Sequence, residues 1–171
     1  MKKTALIFSL AIMALILGLT TRHFSTASEK TYATPLPAFS LLDLSDQQHN
    51  ISEWKDKVLV INFWATWCTP CLKEIPDFVT MQTQYEDRGL QFIGIALDDK
   101  EPVAEFASST KINFPILLGG ENGIALAKQL GNLVQAVPYT IIVNRKGQII
   151  HTNPGELSKE RLLDIVKPLL Q

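Results

Sequence analysis

The chain has only two cysteines, Cys68 and Cys71, and both stand in the stretch Phe63–Pro76, FWATWCTPCLKEIP. Spaced as C-x-x-C, with Pro70 ahead of the second, they suit three kinds of chemistry: a structural staple, half of a metal site, or a redox couple. A disulfide closing so short a loop constrains the unfolded chain by only ~2 kcal/mol, against about 3 for a fifteen-residue loop. A structural zinc takes four ligands, and His23, His49 and His151 are scattered along the chain and read as ordinary surface or turn residues. A dithiol–disulfide couple needs only what is present.

That chemistry requires elements that hold one sulfur reactive and the other beside it. Val58–Trp64 (VLVINFW) is an apolar, β-branched run bounded by charges, and reads as a buried strand. Leu72, Ile75, Phe78, Val79 and Tyr85 follow at helical spacing up to Gly89, and Leu90–Leu97 (LQFIGIAL) reads as the next strand. Strand, helix and strand make a βαβ unit with parallel strands and a right-handed crossover. Cys68 then meets the free backbone N–H groups and the positive dipole end of the helix, which favour thiolate over thiol. Cys71, one turn on and further inside, is placed to resolve what Cys68 attacks. Pro70 loses no hydrogen bond in a first helical turn. Trp67, beside the exposed cysteine, reads as part of a substrate platform together with Thr69 and Pro70, and the same dipeptide tunes the reduction potential.

Downstream, Asp98-Asp99 is positioned to cap a helix running to about Thr110, and Phe114–Leu118 reads as a short strand. Together they form an αβ element inserted after the βαβ unit. Gly119–Gly123 reads as a turn with Asn122 capping a helix Ile124–Leu130, since the stretch lacks the Gly-Lys-Ser/Thr ending of a phosphate loop. Asp98, Asp99 and Glu101 read as solvated acidic residues at a helix start. Thr140–Asn144 and Gln148–Thr152 form a hairpin around Gly147, and Ser158 opens a last helix. Phe39–Leu44 and Ile51-Ser52 are expected to pair as a small N-terminal hairpin. Residues 37–171 form one α/β domain with a mixed sheet flanked by helices.

On the run NFWATWCTPC at 62–71, Pro76 in the following helix, and Val137-Pro138-Tyr139-Thr140 ahead of a late strand, the chain resembles the thioredoxin superfamily. More narrowly it is similar to the TlpA/ResA-type membrane-anchored disulfide reductases of bacterial envelopes. The resemblance covers about residues 35–171 and implies a thioredoxin fold, a redox-active Cys68–Cys71 disulfide and no cofactor or bound metal. It implies that Pro138 is cis and faces the disulfide, with Ala136 and Val137 offering backbone groups to an extended client. Asn62 stands where thioredoxins carry a buried aspartate. Glu74 stands where ResA-type proteins carry a glutamate, three residues after the second cysteine, on the same helix face as Cys71. Desolvation and a developing thiolate would raise its pKa and suit it to proton transfer.

The first residues carry Lys2 and Lys3, then an apolar run from Ala5 to Leu19 interrupted by Ser9 and Gly18. As a helix it reaches roughly 22 Å at ~1.5 Å per residue, short of a ~30 Å hydrocarbon core unless the neighbouring threonines join it. Residues 1–27 therefore read as a signal peptide or membrane anchor that sends the rest outward, and 28–36 as a linker. Three of the 16 basic residues precede Ser28, leaving 13 against 17 acidic, a net −4 with no block of like charge. Nucleic acid is not an indicated partner.

These readings converge on a periplasmic thiol–disulfide oxidoreductase anchored to the inner membrane. It is expected to reduce client proteins such as an apocytochrome c or a copper-site assembly protein, with electrons from a membrane donor of the DsbD/CcdA kind. A disulfide-forming oxidase and a copper or zinc carrier using the cysteine pair are the alternatives.

Overall fold

A computed structural model describes residues 34–171, so the leader and most of the linker lie outside the described residues. Chain order is β1 (Thr34–Pro35), β2 (Ser40–Asp43), β3 (Gln48–Asn50), β4 (Val58–Trp64), α1 (Thr69–Tyr85), β5 (Leu90–Ala96) and α2 (Lys100–Thr110). Then come β6 (Ile116–Leu118), α3 (Gly120–Gln129), β7 (Tyr139–Val143), β8 (Gln148–Pro154) and α4 (Lys159–Val166). The strands form one mixed sheet in the order β1-β8-β7-β4-β5-β6-β2-β3.

Strand β4 lies near the centre, parallel to β5 from Val58↔Leu90 to Trp64↔Ala96 and antiparallel to β7. All seven residues of β4 and of β5 are buried, as strands covered on both faces must be. Alternate side chains of β4 therefore serve two cores. Val58, Val60 and Trp64 pack with Cys71, Ile75 and Phe78 of α1, Val103 of α2, and Leu162 and Val166 of α4. Leu59, Ile61 and Phe63 pack on the other face with Leu126 and Ala127 of α3 and with Trp54. Each large apolar side chain so buried contributes about 1.5–3 kcal/mol. The Phe78 and Phe92 rings stack at 5.0 Å between centroids, locking α1 to β5.

Ser158 caps α4 as expected, accepting from the Arg161 N–H, and Gly147 turns the β7–β8 hairpin with φ 71°. Two local expectations are corrected. Helix α3 starts at Gly120, so Asn122 lies inside it and does not cap it. A Cβ on Gly119 would come 2.9 Å from Ile95 Cγ2, and one on Gly123 2.7 Å from Leu97 Cδ2. These glycines exist to let the helix press against β5.

Ile51 and Ser52 are not in the N-terminal hairpin, whose second strand is Gln48–Asn50. They open a 3₁₀ turn, Ile51–Trp54, closed by a capping box in which Asn50 accepts from Ser52 N and Glu53 accepts from Asn50 N at 2.7 Å. The side-chain cap wins over strand pairing there. The hairpin extends the main sheet through β2–β6, and Thr34–Pro35 adds an edge strand to β8. Among the described residues no helix is long and apolar enough to cross a membrane.

Candidate active site

Parallel pairing puts the C-terminal ends of β4 and β5 side by side, and the chain leaving β4 turns at once into α1. Cys68 N donates to Ala65 O, and Cys68 is the N-cap of α1, with extended backbone and its Sγ accepting from the Cys71 N–H at 3.3 Å. A sulfur at that place takes the role usually given to a serine or aspartate oxygen, and a thiolate there would gain from the same donor. Cys68 and Cys71 are joined in a disulfide, with Cα atoms 5.3 Å apart. Cys68 keeps 5% exposure while Cys71 has none, so only the first sulfur is within reach of a partner. Thr69 is exposed, and Pro70 occupies the second helical position without removing a needed donor.

Glu74 is 3% exposed and lies one turn beyond Cys71, on the same face of α1. Its Oε1 accepts from Asn62 Nδ2 at 2.8 Å and its Oε2 from the Leu157 N–H at 2.9 Å, in the loop before α4. The second amide hydrogen of Asn62 goes to Thr140 Oγ1 at 3.0 Å. A carboxyl group from the helix is thus pinned between the two central strands and the α4 loop. Burial raises its pKa, the Leu157 and Asn62 hydrogen bonds lower it, the nearby Glu156 raises it, and the result is about 7. Near neutral pH this group exists in both protonation states.

Strand β7 pairs Tyr139 with Phe63, which brings the preceding loop to the disulfide end of β4. The Val137–Pro138 peptide bond is cis, and Pro138 is buried. Val137 packs against the core cluster that contains both cysteines, and neither its N–H nor its C=O has a partner among the described residues. Ala136 corrects the sequence reading. Its N–H donates to Asn132 Oδ1 at 3.0 Å and its C=O accepts from Asn132 Nδ2 at 2.8 Å, so its N–H is not free for a client. The buried Asn132 was missed; an asparagine four residues ahead of a loop residue was its only signal. Trp67, Leu97, Ile124, Asn132 and Val137 line a groove of about 110 Å³ beside the disulfide.

The structure also corrects the expectation that Asp98 is solvated. It is half-buried at the end of β5, and its Oδ2 accepts from Thr66 N at 3.0 Å and from the Thr66 hydroxyl. Oδ1 accepts from Asp99 N at 2.9 Å. Burial opposes ionisation here, but the Thr66 and Asp99 hydrogen bonds outweigh it and hold the carboxyl below its ordinary pKa. The β4–β5 register was the available signal, because pairing Trp64 with Ala96 sets residue 66 opposite residue 98.

Comparison with known proteins agrees with this arrangement. The Redoxin family matches residues 32–166. The thiol-disulfide oxidoreductase ResA of Bacillus cereus is 27% identical, with 99% of each chain covered, and that of Geobacillus kaustophilus is 27% identical over 98% of this chain and 99% of its own. The solved thioredoxin-family thiol:disulfide interchange protein of Chlorobium tepidum is 28% identical, with a TM-score of 0.74 over 81% of this chain and 97% of its own. A secreted thiol-disulfide isomerase of Corynebacterium glutamicum, 20% identical, shares the fold with a TM-score of 0.71 over 86% of this chain and 96% of its own. A paired C-x-x-C at a helix start, on a thioredoxin fold with these relatives, has one reading: the chain belongs to the Redoxin family, as a ResA-like thiol–disulfide oxidoreductase.

Proposed function

We propose that the protein is an exported disulfide reductase that acts on client proteins. The observation that carries the exchange chemistry is the buried Glu74 carboxyl, held on the Cys71 face of α1 with a pKa of about 7, and the reductive direction follows the resemblance to the ResA-type reductases. In the reduced enzyme the Cys68 thiolate attacks a client disulfide, forming a mixed disulfide and releasing one client thiolate. Cys71 then loses its proton to Glu74 and attacks Cys68 Sγ. The second client thiolate leaves and takes up a proton, and the enzyme is left with the Cys68–Cys71 disulfide. Two electrons have passed to the client, so an external dithiol must restore the enzyme. A membrane donor of the DsbD/CcdA kind suits that role.

Trp67, Thr69, Pro70, Val137 and Pro138 serve as the docking platform for an extended client. Val137 supports this by its unpartnered backbone groups, and Trp67 by its 68% exposure. The charged and then apolar leader of residues 1–27 supports placement outside the cytoplasm, held at the inner membrane. There the clients would be apocytochrome c or copper-site assembly proteins.

Trapping tests the division of labour. Cys71→Ala is expected to accumulate mixed disulfides with clients through Cys68, and Cys68→Ala to trap almost nothing; the reverse pattern would reject the assignment of the nucleophile. A reduction potential below about −230 mV fits a reductase, whereas one near about −120 mV would reverse the direction of electron flow.

A further inference from the structure

Among the described residues, five large apolar side chains are exposed: Leu42, Trp67, Ile124, Leu133 and Val134. Trp67 and Ile124 line the groove beside the disulfide, and Leu133 and Val134 lie on the loop that ends at Val137. An exposed indole has little packing of its own to fix it. The Trp67 N–H and C=O also make no hydrogen bond among the described residues. The backbone on either side is what holds it. On one side Cys68 N reaches back to Ala65 O at 3.2 Å, and on the other both donors of Thr66 go to one oxygen of Asp98.

The strand ends are already joined, since Leu97 N donates to Trp64 O at 2.8 Å. The Asp98–Thr66 link therefore adds little to sheet pairing and acts on the next residues out, those that carry Trp67. Hydrogen bonds to an ionised carboxylate are shorter and stronger than neutral ones. Pre-ordering a contact residue lessens the entropy lost on docking.

We propose that Asp98 is a positioning residue for client docking: through both donors of Thr66 it holds the Trp67 indole at the mouth of the groove. The inference rests on the reading above that clients dock over Trp67. It assigns no contact between Asp98 and the reacting sulfurs.

The test uses the full chain, reduced and freed of reductant, against two disulfides. Insulin presents disulfides embedded in polypeptide; bis(2-hydroxyethyl) disulfide is too small to cover the groove. Asp98→Ala is expected to lower the ratio of the two second-order rate constants, insulin over small disulfide, by about tenfold, and Thr66→Val, which keeps the Thr66 N–H bond to Asp98, to lower it by less. That is less than the ~10²-fold which a misplacement of about 1 Å can cost. With insulin in excess the loss should fall on the half-saturating insulin concentration and not on the limiting single-turnover rate.

Thr66→Ser, which keeps the hydroxyl, should restore the ratio. The double variant should be no worse than Asp98→Ala alone, because both changes cut one link. An unchanged ratio, additive losses in the double variant, or failure of Thr66→Ser to rescue would each overturn the proposal. If Asp98→Ala does not fold, the Thr66→Val and Thr66→Ser pair decides alone. A wild-type protein that reduces neither disulfide would instead overturn the proposed function.

Discussion

Glu74 reaches the cysteine segment from inside the core, where its carboxyl group takes hydrogen bonds from Asn62 and Leu157 and is almost fully buried. Asp98 reaches the same segment from the end of β5, where three donors meet a half-buried carboxyl group. Burial leads the environment of both. In Glu74 it prevails over two hydrogen bonds and holds the pKa at about 7. In Asp98 the hydrogen bonds prevail and the pKa falls below 3.8. The first group can pick up a proton near neutrality and release it again; the second stays an anion. One is suited to move a proton and the other to hold a loop, and the difference lies in solvent access and donor count.

The largest effect expected from breaking this contrast is that of Glu74→Gln. The variant keeps the shape but not the proton acceptor, so resolution of the mixed disulfide should slow by about 10²–10⁴-fold, the span of general-base catalysis. Stopped-flow tryptophan fluorescence on mixing the reduced protein with a client disulfide, followed across pH, reads it. Profiles that superimpose on wild type would reduce Glu74 to a tether like Asp98.

The same variant should change stability in a defined direction. Because the folded pKa of Glu74 lies above its unfolded value of 4.5, its contribution is complete below 4.5 and is lost as pH rises through about 7. The difference over that window is about 3 kcal/mol. His49, held between Asp43 and Glu53 with its pKa raised, contributes a slope of the same sign. The wild-type curve minus that of Glu74→Gln, from urea unfolding of the oxidised protein at pH 5 and pH 8, isolates the glutamate.

Asn62→Leu sharpens the contrast from the donor side. It removes the donations to Glu74 and Thr140 inside the core, and each oxygen left without a donor costs about 1–3 kcal/mol. The Glu74 carboxyl should then titrate above its present value of about 7, as followed by the NMR shift of its carboxyl carbon. A fall would mean that the Asn62 hydrogen bond does not favour the ionised form.

The smallest effect belongs to Asp98→Asn. A lowered folded pKa contributes stability that is present above 3.8 and lost as pH falls through the folded value, opposite in sign to Glu74. The variant should lower stability by a constant amount at neutral pH and flatten the acid limb of the stability curve below about pH 4, leaving the slope of the neutral limb unchanged. A changed slope of the neutral limb would show the two carboxylates to be coupled.

Much of the fold was legible from periodicity. The runs 58–64 and 90–97 are continuous and apolar, the helix between them has a clear stripe, and their parallel pairing follows from the crossover. Competing local chemistry hid the rest. The capping box at Asn50 and Glu53 took Ile51 out of a strand, and close helix–sheet contact made Gly119 and Gly123 part of a helix start. In the candidate active site, the cysteine spacing singled out the pair that forms the disulfide, and the three-residue step placed Glu74 on the face of Cys71.

The sequence by itself determined the chemistry, because two sulfurs one helical turn apart at a strand–helix junction have few other uses. Tertiary structure alone decided the state of the groups around them. Residues 62, 74, 140 and 157 are far apart in the chain and meet only when β4, β7, α1 and the α4 loop pack together. Residue 98 finds residue 66 only through strand register. A carboxyl group's pKa follows from the water it has lost and the donors it has gained, and neither is written in its immediate sequence.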